Sequence, residues 1–253
     1  MFAEERQERI VNIVNQRRTV KVSELSNELE TSEATIRRDL EELQKQKRII
    51  RTHGGAMSAY LVGKAVTVSE LMTKDAELKR RLAQLAYEQI DDYDTILVDT
   101  SSTVNELIQL VASGPKQNLR VITTSLMAVK ALERCSNCAV QIVGGDMNYE
   151  HQTIEGSVAC RMIRDIRVDK CFIGINGIDE TYGFSTPRYA DADIKSCMVE
   201  SANCSYVLAD HSKLGKTYLA KVTPPDCLIT DRCSNDFSYD LLGDNMEVLF
   251  VTP

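Results

Sequence analysis

The 253-residue sequence lacks any apolar run that approaches the roughly 18 residues of a membrane span. Its first six residues carry three charges and lead into no apolar stretch, so no signal peptide is predicted there. These two absences favour a protein that works in the cytoplasm and has no membrane partner. The apolar fraction of 43% and the charged fraction of 26% are those of an ordinary globular protein with a full hydrophobic core.

The sequence also lacks the spacing of a metal site. Its three histidines bear no metal-binding spacing to the single C-x-x-C pair, Cys135 and Cys138, and zinc needs a second pair of ligands. We interpret the eight cysteines as buried or incidental thiols, because a disulfide framework is unusual in a cytosolic chain. Neither a P-loop nor a nucleophile elbow is present. We therefore expect no metal, no cofactor and no catalytic residue.

A net charge of −7 argues at first against a nucleic-acid partner, but this charge is unevenly distributed. Residues 1–57 hold 11 basic and 10 acidic residues, a net charge of +1; the remainder holds 19 and 27, a net charge of −8. DNA affinity depends on local patches rather than on the whole-chain charge. One basic patch is predicted near the N-terminus, from Lys45, Lys47, Arg48, Arg51 and His53.

Residues 1–57 carry three short helical patterns in close succession. Apolar residues recur at helical spacing in each pattern, and Ser23 and Ser32 are placed to cap the second and third helices. Only three residues separate these two helices, which is the spacing of a helix-turn-helix. The β-like run 48–52 and the glycine pair that follows predict a strand and turn. We interpret this strand and turn as a wing.

The third helix is the predicted recognition helix. Its Ile36, Leu40 and Leu43 recur on one face and are expected to be buried. Four side chains are then expected to point away from the core: Thr35, Arg37, Arg38 and Asp39. Thr35 and Arg38 share a face in the first half of the helix, the part that enters the major groove. The alternative is a plain surface helix held by i,i+4 ion pairs, namely Arg37–Glu41 and Arg38–Glu42.

An arginine on such a helix can grip guanine through two hydrogen bonds or pair with a phosphate, whereas a threonine can contact a phosphate or a thymine methyl. With the turn, the wing and the basic patch, this helix predicts binding to operator double-stranded DNA. The residues expected to contact DNA are Ser32, Thr35, Arg37, Arg38, Lys47, Arg51, His53, Gly54 and Gly55.

Strands and helices alternate along residues 75–253, behind a predicted linker at 58–74. The predicted strands are 95–99, 119–123, 139–143, 169–175, 204–209, 226–230 and 246–251. The predicted helices are 75–90, 103–112, 125–134, 156–166 and 190–203. Apolar β-branched runs that alternate with amphipathic helices predict a mostly parallel sheet covered on both faces.

Small and polar residues gather where these strands are expected to end. Asp99–Thr103 closes the first strand and opens a helix, so its hydroxyls and the free N–H groups of the helix suit a phosphate. Glycine pairs or polar residues close the next strands at 123–125, 144–145 and 174–177, and Asp210 closes the fifth. Each of these segments could be a plain turn. Five in succession predict a ligand site at the carboxyl edge of the sheet.

Three N-terminal segments, 22–25, 35–40 and 53–56, strongly resemble in residues, order and spacing the signature of the DeoR family of bacterial repressors. Lys47 departs from the pattern, because the family usually has glycine after the recognition helix. The resemblance continues through the second half, which in this family is similar to sugar-phosphate isomerases of the ribose-5-phosphate type. Its motifs match Asp99–Thr103, Asp191-Ala192 with Lys195, and Asp210 with Lys213.

Two residues depart from the sensor motifs of the family: Ser101 replaces glycine and Thr124 replaces asparagine, which points to a different sugar phosphate. The resemblance and the strand-end pattern together imply the effector-binding residues Asp99, Thr100, Ser101, Ser102, Thr103, Thr124, Gly144, Gly145, Asn176, Lys195 and Lys213. Of these, Lys195 or Lys213 is expected to supply a cation to the phosphate, and Asp99 is expected to bind sugar hydroxyls.

We therefore expect a winged helix-turn-helix DNA-binding domain at 1–57, a linker at 58–74, and an α/β effector-sensing and oligomerisation domain at 75–253. The expected function is repression of a sugar-utilisation operon, relieved by a small phosphorylated sugar, although activation stays open. The resemblance implies a homo-oligomer, and two half-sites need at least a dimer, so a dimer or a tetramer is expected. The alternative is an isomerase-like enzyme with a DNA-binding appendage, in which Asp191 and Lys195 would serve acid–base chemistry.

Overall fold

A computed structural model describes seven stretches of the chain: residues 3–17, 19–46, 48–52, 54–58, 75–232, 237–243 and 246–251. Its contacts divide the chain into two compact units, Met1–Ala65 and Val66–Pro253. Two of the predicted DNA contacts, Lys47 and His53, lie outside the described residues, and so does nearly all of the predicted linker.

The first unit is a winged helix-turn-helix. Its elements are α1 (Ala3–Arg17), β1 (Thr19–Lys21), α2 (Val22–Glu28), α3 (Glu33–Lys45), β2 (Ile49–Thr52) and β3 (Gly55–Ser58). β2 and β3 form the antiparallel wing, and β1 pairs with the other side of β3. The predicted helix-turn-helix and wing are confirmed. The third strand, β1, was not predicted because it is only three residues long.

Helix starts in this unit follow local hydrogen bonding. The Ser32 hydroxyl accepts from the backbone N–H of Thr35 at 3.3 Å, which confirms the predicted cap of α3. The predicted cap of α2 by Ser23 is wrong, because this helix already begins at Val22. There the Glu24 carboxylate reaches back to accept from the Lys21 N–H at 3.2 Å. A carboxylate in the first turn satisfies this donor and complements the helix dipole.

The core of the first unit lies between the three helices. Ile36, Leu40 and Leu43 of α3 are buried as predicted, together with Ile10 and Leu25. Burying each such side chain contributes about 1.5–3 kcal/mol to folding. The periodicity of the apolar residues therefore fixes which face of α3 is turned to solvent.

Asp39 departs from the predicted outward orientation. It is buried, and its carboxylate accepts from Arg6 Nε at 2.6 Å and from Gln7 Nε2 at 3.2 Å, both on α1. The periodicity of α3 could not reveal these partners, because they lie on another helix more than thirty residues away. Asp39 therefore ties α3 to α1 and is not part of the exposed face.

The second unit is built on a parallel sheet of seven strands. Its helices are α4 (Ala76–Glu88), α5 (Ser102–Ser113), α6 (Leu126–Ala131), α7 (Ser157–Arg164) and α8 (Tyr189–Glu200). The sheet strands are β4 (Thr95–Val98), β5 (Leu119–Thr123), β6 (Cys138–Ile142), β9 (Val168–Gly174), β12 (Ala202–Leu208), β14 (Cys227–Asp231) and β15 (Glu247–Val251). Their order is β15-β14-β12-β9-β4-β5-β6. All seven predicted strands are confirmed, each with bounds within two residues.

Short strands add two features at the carboxyl edge that the sequence did not predict. β7 (Asp146–Asn148) and β8 (Thr153–Glu155) form a hairpin after β6. β10 (Gly177–Asp179), β11 (Gly183–Thr186) and β13 (Ala220–Lys221) form a small antiparallel sheet. The hairpin is fixed to the loop after β5, because Ile154 N donates to Thr124 O at 2.8 Å and Leu126 N donates to Gln152 O at 3.1 Å.

Two apolar clusters pack against the large sheet. One includes α7 and α8, and the other includes α4, α5 and α6. Cys171 and Cys197 are fully buried in the first cluster, where a thiol acts as a small hydrophobe. The seven cysteines of the described residues are all free thiols. None of the described helices is long and apolar enough to cross a membrane.

Candidate functional site

Helix α3 presents one arginine without a partner. Arg38 is exposed and has no hydrogen bond or ion pair within the described part of the chain. The ion pairs of the alternative interpretation, Arg37–Glu41 and Arg38–Glu42, do not form within the described residues. Arg37 reaches back one turn to Glu33 at 2.7 Å, and the acidic residues at 41 and 42 instead pair with Lys45. The guanidinium of Arg38 is thus left for an external partner.

The start of α3 shows how its other predicted DNA contacts are used. The Ser32 hydroxyl is engaged as the helix cap and also lies 2.9 Å from Thr35 Oγ1. Thr35 is partly exposed and lies one turn before Arg38 on the same face. Of these two hydroxyls, Thr35 therefore has the greater freedom to meet a nucleic acid.

Of the three described residues of the predicted basic patch, two are paired with acidic residues. Arg48 donates two hydrogen bonds of 2.7 Å to Glu8, and the pKa of Glu8 is lowered by these bonds. Lys45 is likewise paired with Glu42, whereas Arg51, on the wing strand β2, is exposed and makes no hydrogen bond or ion pair within the described residues. The charge of Arg48 is neutralised by Glu8, which lies 40 residues away in sequence. The charge of Lys45 is neutralised by Glu42, one helical turn away.

The two wing glycines differ in role. Gly54 is exposed, and its carbonyl accepts from the Val22 N–H at 2.9 Å. Gly55 is buried, and a Cβ at that position would lie only 2.0 Å from the Val20 carbonyl oxygen. Glycine is therefore needed at position 55 to bring β1 against the wing, which leaves little of this residue for a DNA phosphate.

In the second unit, Asp99 is the centre of the polar edge. It follows β4 and is buried, and it accepts from the N–H groups of Ser101 at 2.9 Å and Gly174 at 3.0 Å. Its second oxygen also accepts from Lys195 Nζ. Gly174 makes this arrangement possible, because a Cβ there would lie 2.4 Å from that of Ser101. The ends of β4 and β9 are thus joined by one carboxylate.

Lys195, on α8, is a buried cation between two acidic residues. Its Nζ contacts Asp99 and lies 3.5 Å from Asp191. Burial alone would lower the pKa of Lys195, but the attraction of Asp191 and Asp99 outweighs it and raises this pKa above its usual value. Lys195 is therefore protonated, and two carboxylates already match its charge.

A hydroxyl extends this network toward Asn176. Thr186 Oγ1, at the end of β11, lies 2.9 Å from Asn176 Oδ1 and also contacts Asp191. Asn176 follows β9, as the sequence predicted, and is partly exposed. The structure thus brings the predicted residues Asp99, Asn176 and Lys195 into one connected group of polar side chains, which Thr186 completes.

The helix that follows Asp99 keeps two hydroxyls without a partner. Ser101 caps α5 through Val104 N at 3.3 Å, whereas Thr100 Oγ1 donates to the His151 carbonyl. Ser102 and Thr103 are only 7% and 6% exposed, yet their hydroxyls make no hydrogen bond within the described residues. Neither oxygen is among the fully buried, unpartnered atoms of the described residues, so both keep contact with solvent and a bound group can reach them.

Three predicted effector residues lie against other parts of the protein, and of these Thr124 is buried, Gly144 is partly exposed and Gly145 is exposed. Thr124 is 1% exposed, and its carbonyl is bound by Ile154 of the hairpin. A Cβ on Gly145 would lie 2.8 Å from Glu155 O, so the missing side chain admits the hairpin. At Gly144 the neighbour is Met162, whose sulfur would lie 3.2 Å from a Cβ. The close approach predicted for these glycines is thus made to the protein itself.

The end of β12 supplies the remaining predicted pair. Asp210 is buried and accepts from Ser212 N at 2.8 Å. Burial raises the pKa of Asp210, but the charge of Lys213 and the bonds from Ser212 outweigh this effect, so the net shift is downward. Lys213 is partly exposed and makes no ion pair within the described residues. Of the two lysines predicted to bind the effector, Lys195 has its charge matched by ion pairs, whereas within the described part of the chain Lys213 does not.

Sequence reasoning missed three residues that the hairpin and α8 bring to this edge. Arg188, just before α8, forms an ion pair with Glu155 of β8. His151 lies in the turn of the hairpin, where burial and then the nearby charge of Arg188 lower its pKa. The hairpin strands are too short to be recognised from periodicity, so the sequence carried no signal that these residues would meet.

The fold and the solvent-exposed face of α3 define a DNA-binding protein of the winged helix-turn-helix class with a second, α/β domain. Family profiles described as "DeoR-like helix-turn-helix domain" and "DeoR C terminal sensor domain" match residues 6–60 and 74–232. The chain belongs to the DeoR family of transcriptional regulators.

Curated relatives match along the whole chain. The HTH-type transcriptional repressor GlcR of Bacillus subtilis is 32% identical over 255 residues, with 100% of this chain and 97% of the relative covered. The lactose phosphotransferase system repressor of Streptococcus mutans is 30% identical, with 98% of this chain and 100% of the relative covered. The HTH-type transcriptional regulator GolR of Listeria innocua is 30% identical, and 96% of each chain is covered.

Solved structures resemble only part of the chain. Ribose 5-phosphate isomerase A of Methanocaldococcus jannaschii has a TM-score of 0.41 at 20% identity, covering 56% of this chain and 55% of the isomerase. The delta subunit of eIF2B from Chaetomium thermophilum has a TM-score of 0.43 at 16% identity, covering 58% of this chain and 52% of the subunit.

Proposed function

We propose that the protein represses a sugar-utilisation operon by binding operator DNA through α3 and the wing, and that a small phosphorylated sugar releases it. The observation that carries the effector half is the pair of hydroxyls at the start of α5, on Ser102 and Thr103, that have no hydrogen-bond partner within the described residues and are not fully buried. The DNA half is supported by Arg38, and several curated relatives are named repressors.

The recognition step is assigned to Arg38 and Thr35. An exposed, unpaired guanidinium can meet guanine or phosphate without first breaking an internal ion pair. Arg51 on the wing supports backbone contact, because it is exposed and unpaired within the described residues. Arg37 is a weaker candidate, since Glu33 already holds it.

The phosphate is assigned to the start of α5 and to Lys213. The helix N-terminus favours an anion by about 0.3–1 kcal/mol when exposed and up to about 2 when partly buried, so a cation is needed for useful affinity. Lys213 follows β12, which lies two strands from β4 in the sheet. Since neighbouring strands are about 4.8 Å apart, two such spacings separate the end of β12 from the end of β4, where α5 begins. Lys195 is assigned a different role, since its charge is matched: it positions Asp99 and Asp191 for sugar hydroxyls.

The site is proposed to bind and not to turn over its ligand. Asp191 and Lys195 are one helical turn apart and could in principle exchange a proton, which is the basis of the enzyme alternative. However, Lys195 is held protonated between two carboxylates, which makes it a poor base. Incubation with pentose and hexose phosphates tests this alternative, and formation of an isomerised product would support it.

Isothermal titration tests the effector assignment. Ribose 5-phosphate, glucose 6-phosphate and fructose 6-phosphate are compared with the three free sugars, and operator release is followed in parallel. At least one phosphate should bind and release the operator, and the matching free sugar should bind far more weakly. Equal affinity for a sugar and its phosphate would contradict the anion site, and a protein that binds none of the six would leave the proposed effector class without support.

A further inference from the structure

The two edges of the seven-stranded sheet are protected to very different degrees. At one edge, β15 is partly covered: Tyr239 packs edge-on against Phe250, and Arg232 lies over the same ring. At the other edge, β6 is open, and residues 139–142 are all exposed. Parallel strands are normally buried on both faces, so β6 is unusual within its own sheet.

The backbone of β6 has unpaired hydrogen-bonding groups at this edge. Val143 N donates to Thr123 O at 2.9 Å, and Leu119 N donates to Asn137 O at 3.1 Å. Because alternate residues of a strand turn their N–H and C=O groups to opposite sides, the groups of Val140 and Ile142 point away from β5. No strand of the described residues pairs with that side. Such an edge is a template for another strand.

The side chains at the edge are uncharged, and all except that of Gln141 are apolar. Val140 and Ile142 are 38% and 40% exposed, and the strand contains no charged residue. On the opposite face of the same edge, Val158 and Met162 of α7 are also exposed, and Met162 lies beside Gly144, two residues beyond β6. Natural edge strands are usually blunted by charge, proline or a covering segment. β6 has no charge and no proline.

We propose that β6 is the edge through which a second copy of this chain pairs, antiparallel and about a two-fold axis at Val140. This alignment sets Cys138 opposite Ile142, Ala139 opposite Gln141, and Val140 opposite its own copy. No charged residue meets a like charge. The outward N–H and C=O groups of the two Val140 residues bond to each other, which extends the sheet to fourteen strands.

The occupant is a second copy because the edge is self-complementary in both its hydrogen bonds and its side chains. A two-fold interface uses the same patch on both subunits, which an uncharged strand aligned on its own centre provides. The pairing also suits the proposed function, which this inference partly rests on, because two operator half-sites require two recognition helices. Since strand pairing alone is small, Val158 and Met162 supply flanking apolar contact.

The test measures the molar mass of the full-length protein in solution by light scattering. The double variant Val140→Lys with Ile142→Lys places like charges across the edge, and Leu219→Lys, at a residue that is 60% exposed, is the matched control. The double variant should have half the mass of the wild type, and the control should keep it. Circular dichroism checks that both variants are folded.

A Val140→Cys variant gives a second, positive readout. Directly opposed, hydrogen-bonded residues of antiparallel strands have Cα atoms about 5.5 Å apart, within the range of a disulfide. Mild oxidation, which removes one electron and one proton from each thiol with the added oxidant as acceptor, should link two chains; Leu219→Cys should not be linked. A monomeric wild type, or a folded double variant that keeps the full mass, would overturn the proposal without affecting the effector assignment.

Discussion

Helix α3 and the carboxyl edge of the sheet hold their charges in opposite ways. Arg38 is exposed and unpartnered within the described residues, whereas Lys195 is buried and contacts two carboxylates. An exposed cation costs the fold little and stays available to a partner. A buried cation must be matched inside the protein, so it shapes the site more than it binds an anion. The comparison separates residues that touch a ligand from residues that hold the site together.

The largest effect should come from Lys195→Ala. The change leaves Asp99 and Asp191 without their shared cation, and breaking a buried pair costs about 3–5 kcal/mol of unfolding free energy. Urea denaturation measures this loss. Lys213→Ala is the matched control, because its lysine is partly exposed and makes no ion pair within the described residues. It should cost roughly 1 kcal/mol or less.

In an assay of operator release by the effector, Lys213→Ala should have a large effect, although its effect on stability is expected to be small. If Lys213 grips the phosphate, Lys213→Ala should be folded, bind the operator normally and lose release by the effector. A Lys213→Ala protein that responds at unchanged effector concentration would remove the lysine from the site. A Lys195→Ala protein as stable as the wild type would show that the buried ion pair contributes little to the unfolding free energy.

A smaller effect is expected from Arg38→Ala, and it should appear only in DNA binding. Loss of one good base contact costs about 1–3 kcal/mol of operator affinity, while stability should change by no more than roughly 0.5 kcal/mol. Fluorescence anisotropy on an operator selected by the wild type from random DNA measures this loss. Arg37→Ala is the matched control and should lose less affinity, because Glu33 already holds Arg37.

Salt gives an independent check on the same helix. Operator affinity of the wild type should fall steeply with added salt, because phosphate contacts release counterions. An arginine that reads a base should leave this slope nearly unchanged when it is removed, whereas a phosphate contact should reduce it by about one unit. Equal affinities of Arg38→Ala and the wild type would contradict the assignment of Arg38 to either role.

The sequence predicted the parts of this molecule that depend on periodicity. The apolar face of α3 and the seven sheet strands follow from residue spacing, which is local. The partners of Asp99 do not: Lys195 is 96 residues away, and only the topology of the sheet brings it near. The ion pairs considered as the alternative for α3 also do not form, because Arg37 has acidic residues one turn away on both sides and pairs with Glu33. Spacing alone cannot choose between them.

The hairpin explains why the effector site was predicted less well than the DNA-binding helix. Its strands have three residues each, too few for an alternating pattern to be distinguished from a loop. It nevertheless covers Thr124 and brings Glu155 to Arg188. A prediction from strand ends alone therefore places open ligand contacts where the protein packs against itself.

The smallest expected effect concerns His151 in that hairpin. Burial and then Arg188 lower its pKa, and they outweigh the opposite influence of Glu150, Asp191 and Glu155. In the unfolded chain the pKa of histidine is about 6.5, so below that pH the unfolded state binds more protons than the folded state. The contribution of the neutral imidazole to stability is thus fully present above about pH 6.5 and declines as the pH falls. Urea denaturation between about pH 5.5 and 8 should show a weaker pH dependence for His151→Gln than for the wild type. Proton resonances of the imidazole, assigned by comparison with that variant, should titrate below the unfolded value; a pKa at or above it would show that the hairpin does not desolvate this residue.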